Sequence, residues 1–175
     1  MGAIQNAISG FVLDLFGGWA WAEEICVLIC SMIPIIELRG GIPMAFAFGL
    51  KWWQAFLLCV VGNILPVPII LLFIKRFLIW AEASRIKILN KLASWLNRKV
   101  EKNRPKIEKF AFWGLTVFVG IPLPMTGAWT GSLVAAMIDM KFWKAMLTAL
   151  LGVLLAATIV TVIVYGGIEA LSFLV

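Results

Sequence analysis

From Trp52 to Ile74 the chain runs through 23 residues without a charged side chain, and Phe142 to Tyr165 forms a second run of 24 that carries only Lys144, near its start. In hydrocarbon there is no water to satisfy backbone N–H and C=O groups, so a segment that crosses a bilayer must be a helix or part of a closed barrel. Continuous apolar runs of about 20 residues match helices, whereas barrel strands alternate over segments of about ten. With 63% of its 175 residues hydrophobic and 14% charged, the chain reads as an all-α integral membrane protein. Residues 1–22 hold no Lys or Arg and so lack the basic start of a signal peptide, which leaves insertion to the internal segments.

Two further apolar runs are broken. Ile25 to Leu50 contains IPIIELRGGIP at residues 33–43, which puts Glu37 and Arg39 in the middle of it. A charge at the centre of a lipid-facing helix costs roughly 2.5 to 3.5 kcal/mol, so these two residues are expected to face a protein interior or a wet cavity and to mark the functional centre. Residues two apart on a regular helix point to nearly opposite sides, so Glu37 and Arg39 could not pair along one; a structural ion pair that pins the hairpin is the alternative to a functional role for the two. Pro34 before them and Gly40, Gly41 and Pro43 after them predict a helix, a break and a second half-helix. Ile25 to Ile36 would extend about 18 Å as a helix, short of a hydrocarbon core of about 30 Å, so residues 25–50 read as a re-entrant hairpin. Residues 110–138 read the same way: GIPLPMTGAWTG occupies 120–131, and no charge stands between Lys109 and Asp139. Half-helices are expected to begin near Pro43 and Pro124. Within the first span, GNILPVP at 62–68 sets Asn63 near mid-membrane beside Pro66 and Pro68, predicting a kink with freed carbonyls.

Sliding the chain against itself by 90 residues pairs Pro34 with Pro124, Gly41 with Gly131, Lys51 with Lys141, Trp53 with Trp143 and Gly62 with Gly152, without a gap. Each repeat, about 1–80 and 94–167, is then an amphipathic interfacial helix, a re-entrant hairpin and a spanning helix (52–74 and 142–165). In the first repeat residues 4–16 form the interfacial helix, with Trp19 and Trp21 at headgroup depth. One net crossing per repeat makes the copies opposite in orientation, an inverted repeat. Residues 75–109 hold 11 of the 15 basic residues against three Glu and read as a basic amphipathic connector. That bias places the connector on the cytoplasmic side of the cell's inner membrane and both termini outside, with the two hairpin tips meeting near the midplane. Topology accounts for the basic stretch, so no nucleic-acid partner is implied.

ELRGGIP, GNILPVP and IPLPMTGAWTG, in that order, resemble the small multidrug export protein family of prokaryotic membranes, over about Ile25 to Tyr165. That family is in turn similar to the DedA (VTT-domain) membrane proteins, and the resemblance implies two facing re-entrant hairpins and a role in moving lipid phosphates across the bilayer. Glu37 and Arg39 match the acidic and basic positions of the first motif. The arginines that DedA proteins place around the second hairpin have no counterpart in 110–138.

These readings converge on a secondary transporter or lipid translocase for an amphipathic, anionic substrate. Half-helix dipoles and Arg39 would attract the anion, and Glu37 would carry a coupling proton. Asn63, Thr126 and Thr130 are polar ligands or caps of freed backbone groups. Gly40, Gly41, Pro43, Pro122, Pro124, Gly127 and Trp129 shape the cavity. A multidrug exporter, whose cationic substrate would rely on Glu37 alone, and a non-transporting scaffold subunit are the alternatives. An enzyme is disfavoured by the absence of His and of any Ser or Cys beside a base. Cys26, Cys30 and Cys59 read as packing residues, with no metal or cofactor implied. Two full spans are few for an enclosed pathway, so a homodimer in the lipid bilayer is expected.

Overall fold

The computed structural model describes residues 21–83, 110–123 and 126–167, and all regular structure among them is helical. In chain order the helices are α1 (Ala22–Met32), α2 (Glu37–Ala47), α3 (Trp52–Ile64), α4 (Pro66–Ala83), α5 (Phe110–Gly120), α6 (Ala128–Met137) and α7 (Phe142–Thr161), the last continued by a π turn, Val162–Gly166. The interfacial helix expected at 4–16, Trp19, Pro124 and the connector beyond residue 83 lie outside the described residues.

Two helical stretches, Trp52–Ile74 and Phe142–Gly166, are long and apolar enough to cross a membrane. The first is interrupted at Leu65, where the sequence predicts a break: Pro66 and Pro68 have no N–H to offer the carbonyls of Gly62 and Ile64. Leu65 itself keeps helical angles, φ −57° and ψ −41°. Helices α1, α2, α5 and α6 hold 10 or 11 described residues, about 16 Å each, roughly half a hydrocarbon core.

The chain divides into two compact units. The first takes residues up to Leu65 and from Val153 onward, and the second runs from Pro66 to Gly152. In the first unit, Glu23 and Glu24 in the opening turn of α1 suit the positive end of its dipole. Pro34 stops this helix by driving Ile33 to an extended conformation, φ −74° and ψ 129°. The break therefore falls at Ile33–Ile36, ahead of the charged pair, and not among Gly40, Gly41 and Pro43, all of which lie inside α2. Pro43 still leaves a mark there, because it withholds the N–H that the Arg39 carbonyl would receive. After α2, Leu50 N–H donates to the Ala45 carbonyl at 3.0 Å and Gly49 N–H to that of Phe46 at 2.9 Å, with Gly49 at φ 81°. This is a Schellman cap with its left-handed residue supplied by glycine. Helix α3 follows, its Lys51 N–H held by Gln54 Oε1 at 3.0 Å.

Glycines let α1, α2 and α3 touch. A Cβ on Gly62 would stand 2.7 Å from the Leu28 carbonyl oxygen and 2.8 Å from Ser31 Cβ, and one on Gly41 would collide with Ser31 Oγ and lie 2.8 Å from Cys59 Sγ. The end of α7 closes this unit: Tyr165 donates its hydroxyl to the Leu50 carbonyl at 2.9 Å and meets Phe46 edge-on at 5.2 Å.

In the second unit α4 packs on α6. A Cβ on Gly152 would stand 2.6 Å from Val119 Cβ and 2.9 Å from the Thr116 carbonyl, and one on Gly131 would collide with Val119 Cγ2. Helix α6 begins at Ala128 behind Gly127, four residues later than the start expected near Pro124. It ends on a Schellman cap like that of α2: Met140 N–H to the Ala135 carbonyl at 3.0 Å, Asp139 N–H to that of Ala136 at 3.1 Å, and Asp139 at φ 56°. Asp139 is exposed at that turn. Buried hydroxyls in both units spend their proton on the carbonyl one turn back, as in Ser31 to Val27, Ser132 to Ala128 and Thr148 to Lys144.

The same contacts thus occur in each unit, but in a register that the ungapped 90-residue shift misses. Gly41, Gly49 and Gly62 do correspond to Gly131, Asp139 and Gly152. On the first helix, however, Ser31 and Leu28 correspond to Val119 and Thr116, 88 residues on, and Pro34 thereby to Pro122 instead of Pro124. The difference is taken up in the turn, four residues (33–36) in the first hairpin and six (121–126) before Gly127 in the second. A hairpin tip accepts two extra residues, whereas the glycine contacts below it accept none. Gly62→Ala and Gly152→Ala are expected to cost about 1–3 kcal/mol each through overpacking, lowering the melting temperature of the detergent-solubilised protein. Gly114→Ala, where the new methyl meets open space, is expected to leave it unchanged or raise it.

Candidate functional site

Glu37 and Arg39 come together. Arg39 Nη1 lies 3.7 Å from Glu37 Oε2, with the side chains 18% and 3% exposed. A regular helix forbids this pair, but Glu37 is not in helical conformation: at φ 51° it is a left-handed first residue, and that twist swings its carboxylate toward Arg39. Such a conformation costs a non-glycine residue of order 1–3 kcal/mol and persists only where the surroundings enforce it. Here Glu37 N–H binds the Ile33 carbonyl at 2.9 Å, closing the turn that Pro34 opened. The carboxylate also sits at the positive end of α2, so two fields of the same sign hold it.

Beside α2 the glycine contacts assemble further polar atoms. Ser31 Oγ and Cys59 Sγ flank Gly41. Asn63, fully buried, donates from Nδ2 to the Cys59 carbonyl at 3.2 Å, and its Oδ1 has no hydrogen-bond partner among the described residues. Gly40 packs against Ile36, and Pro43 is exposed. Read from the sequence, Cys59 is a packing residue and neither Ser31 nor Tyr165 stands out as functional. Ser31 is the one hydroxyl in the run from Ile25 to Ile36, and Tyr165 the one tyrosine of the chain; those two singularities were the available signals.

The residues expected from the second hairpin form no charged centre. Thr126 Oγ1 lies 2.8 Å from the carbonyls of both Ile121 and Leu123, so its hydroxyl closes the loop. Gly127 is buried as the N-cap of α6, Trp129 and Thr130 are half-buried on its first turn, and Pro122 is half-buried in the loop. Against these, α5 and α6 enclose an apolar cleft of about 380 Å³ lined by Phe110, Gly114, Phe118, Val134 and Ile138 among others.

The correspondence between units makes the contrast specific. Where the first unit has Glu37, Arg39, Ser31 and Cys59, the second has Gly127, Trp129, Val119 and Ala149. Polar chemistry is concentrated on one of two similarly packed junctions. Removing either member of the buried pair takes a facing charge away from the other, so Glu37→Gln and Arg39→Gln should each cost about 3 kcal/mol. The double variant should cost less than the sum, which a double-mutant cycle of thermal unfolding in detergent will read.

A family model described as "Putative small multi-drug export protein" matches residues 37–159, opening on Glu37 and running through most of α7. No curated protein and no solved structure matches the chain. The family match covers well over half of the 175 residues, including ELRGGIP, the proline break after Asn63, the whole of the first long apolar helix and the second as far as residue 159. The chain is a helical membrane protein that belongs to the putative small multi-drug export protein family.

Proposed function

We propose that this protein is a secondary transporter for an amphipathic anion, lipid phosphate in type, which passes through a midplane site formed by its two re-entrant hairpins. The observation that carries this reading is the placement of Glu37 and Arg39. The second unit builds the same glycine contacts and the same Schellman cap with Gly127 and Trp129 at the corresponding positions, so the hairpin does not need the ion pair in order to fold. A costly charged pair that architecture does not require is best explained by what it binds. Arg39 and the positive end of α2 supply the anion's counter-charge.

The inverted topology belongs to the same reading. Tyr165 at the end of the second long helix bonds Leu50 just before the first, so these ends share one side of the bilayer. That supports a stretch 110–138 that enters and leaves on the same face; if it crossed instead, Leu50 and Tyr165 would lie on opposite faces. The exposed apolar turns, with Ile35 at 91%, suit hairpin tips that end within the membrane. Kinship with the DedA proteins, proton coupling and a homodimer complete the proposal. The family description favours a second reading, export of cationic drugs, in which the Glu37 carboxylate is the ligand.

Single cysteines in a background lacking Cys26, Cys30 and Cys59 test both parts. Cysteines at 51 and 167 should react with a membrane-impermeant maleimide from one face and a cysteine at 141 from the other; reaction of 51 and 141 from one face and of 167 from the other would rule out the inverted topology. Cysteines at 37, 39, 126 and 130 should react with small methanethiosulfonates. If all four stay inert from both sides, the pair is sealed structure and the transport reading fails.

A further inference from the structure

Gly114 is a glycine that helix packing does not explain. Those at 41, 62, 131 and 152 each stand against a neighbouring helix, where a Cβ would come within 3.0 Å of another atom. A Cβ on Gly114 would meet nothing within 4 Å, although the residue lies in the interior of α5, where glycine weakens a helix relative to alanine. Glycine also serves where a backbone comes close to a ligand. The space beside Gly114 belongs to the cleft of about 380 Å³ between α5 and α6, walled by Phe110, Phe118, Val134 and Ile138.

This cleft lies wholly within the second unit. Near the hairpin tip α6 reaches α5 through Gly131 against Val119. The cleft occupies the rest of the junction, from Phe118 to Phe110 on α5, about 12 Å along the helix. Its lining side chains are all apolar, so its occupant along that length is hydrocarbon. In the first unit the positions of Gly114 and Ile138 are held by Cys26 and the buried Phe48, both larger side chains.

Charge distinguishes the open end. Phe110 follows directly on Lys109 in the sequence, with Lys106 three residues before that, and beyond Ile138 come Asp139 and then Lys141 and Lys144, both exposed. With Glu108 counted beside Asp139, the two approaches carry four cations against two acids. Trp113, 68% exposed on the first turn of α5, suits headgroup depth. We propose that the cleft holds one acyl chain of a resident anionic phospholipid whose phosphate pairs with Lys141, three residues beyond Ile138. Basic rims on apolar grooves between membrane helices take such headgroups. A second copy presenting the same face would instead set cation against cation. The lipid is a bound component and not the transported molecule, so the proposal stands apart from the reading of Glu37 and Arg39.

The test uses the full chain in dodecylmaltoside, with dioleoylphosphatidylglycerol and dioleoylphosphatidylcholine as probes, read by native mass spectrometry and thermal unfolding. Phosphatidylglycerol should be retained at least about tenfold more tightly than phosphatidylcholine, and its rise in melting temperature should weaken with salt. Gly114→Leu puts a side chain into the cleft; without lipid it should unfold no lower than the parent, and it should lose the retained phosphatidylglycerol. Lys141→Gln combined with Lys144→Gln should bring retention down to that of phosphatidylcholine. Equal retention of the two lipids by the unaltered protein overturns the proposal, as does phosphatidylglycerol retention untouched by Gly114→Leu. A change of oligomeric mass in Gly114→Leu overturns it in favour of a second copy. Earlier unfolding of that variant with lipid retention unchanged overturns it in favour of another part of this chain. The two-lipid comparison on the unaltered protein stands even if the variants fold poorly. No readout involves Glu37 or Arg39, so the transport reading survives or fails separately.

Discussion

In the first unit Gly62 stands against the Leu28 carbonyl, where the absence of a side chain lets two helices meet backbone to backbone. In lipid the apolar surface of a helix gains nothing by leaving hydrocarbon, so association depends on such close packing. Everything else in the unit is placed by it. Ser31 can reach Gly41 and Cys59 only because α1 is held that near α3, and α2 is thereby clamped with Glu37 at its start. The second unit repeats the device with Gly152, Val119 and Gly131. Ala55, Cys59, Ala145 and Ala149 are buried on the same helices, which extends the narrow face on either side of the glycines.

On this frame the two units diverge in chemistry but not in packing. Ser31 and Val119 serve equally well as the knob between glycines, one polar and one apolar. The polar version is costly in a membrane unless its groups are satisfied, and Ser31 meets that demand by returning its proton to Val27. Asn63 meets it only by half, through Nδ2. Polar groups concentrate around α2 of one unit, and an apolar cleft opens beside α6 of the other.

Much of this was legible in the residues. Two uninterrupted apolar runs required two long helices, and Pro34 and Pro66 required interruptions because proline lacks an N–H and restricts the residue before it. Matched glycines pointed to a recurring pattern, since glycine is kept where backbones approach. Glu37 and Arg39 stood out because charge is expensive in hydrocarbon. The register of the first hairpin arm was not legible: Pro34 can be laid on Pro124 or Pro122, and only the contacts to Gly152 select the latter. A Glu37–Arg39 ion pair was legible only as an alternative to a functional role, because a regular helix separates residues two apart and the pair forms through a left-handed backbone that no residue type there announces.

The sequence by itself determined the class of fold and the identity of the charged centre, since hydropathy and the missing N–H of proline act locally, residue by residue. Tertiary structure alone decided where the helix breaks fall relative to the charges, which side chain fills each glycine gap, and that Tyr165 returns to Leu50 across more than a hundred residues. Those outcomes depend on which surfaces fit when helices close to backbone contact. Close packing is a property of pairs of helices and is not written in either one alone.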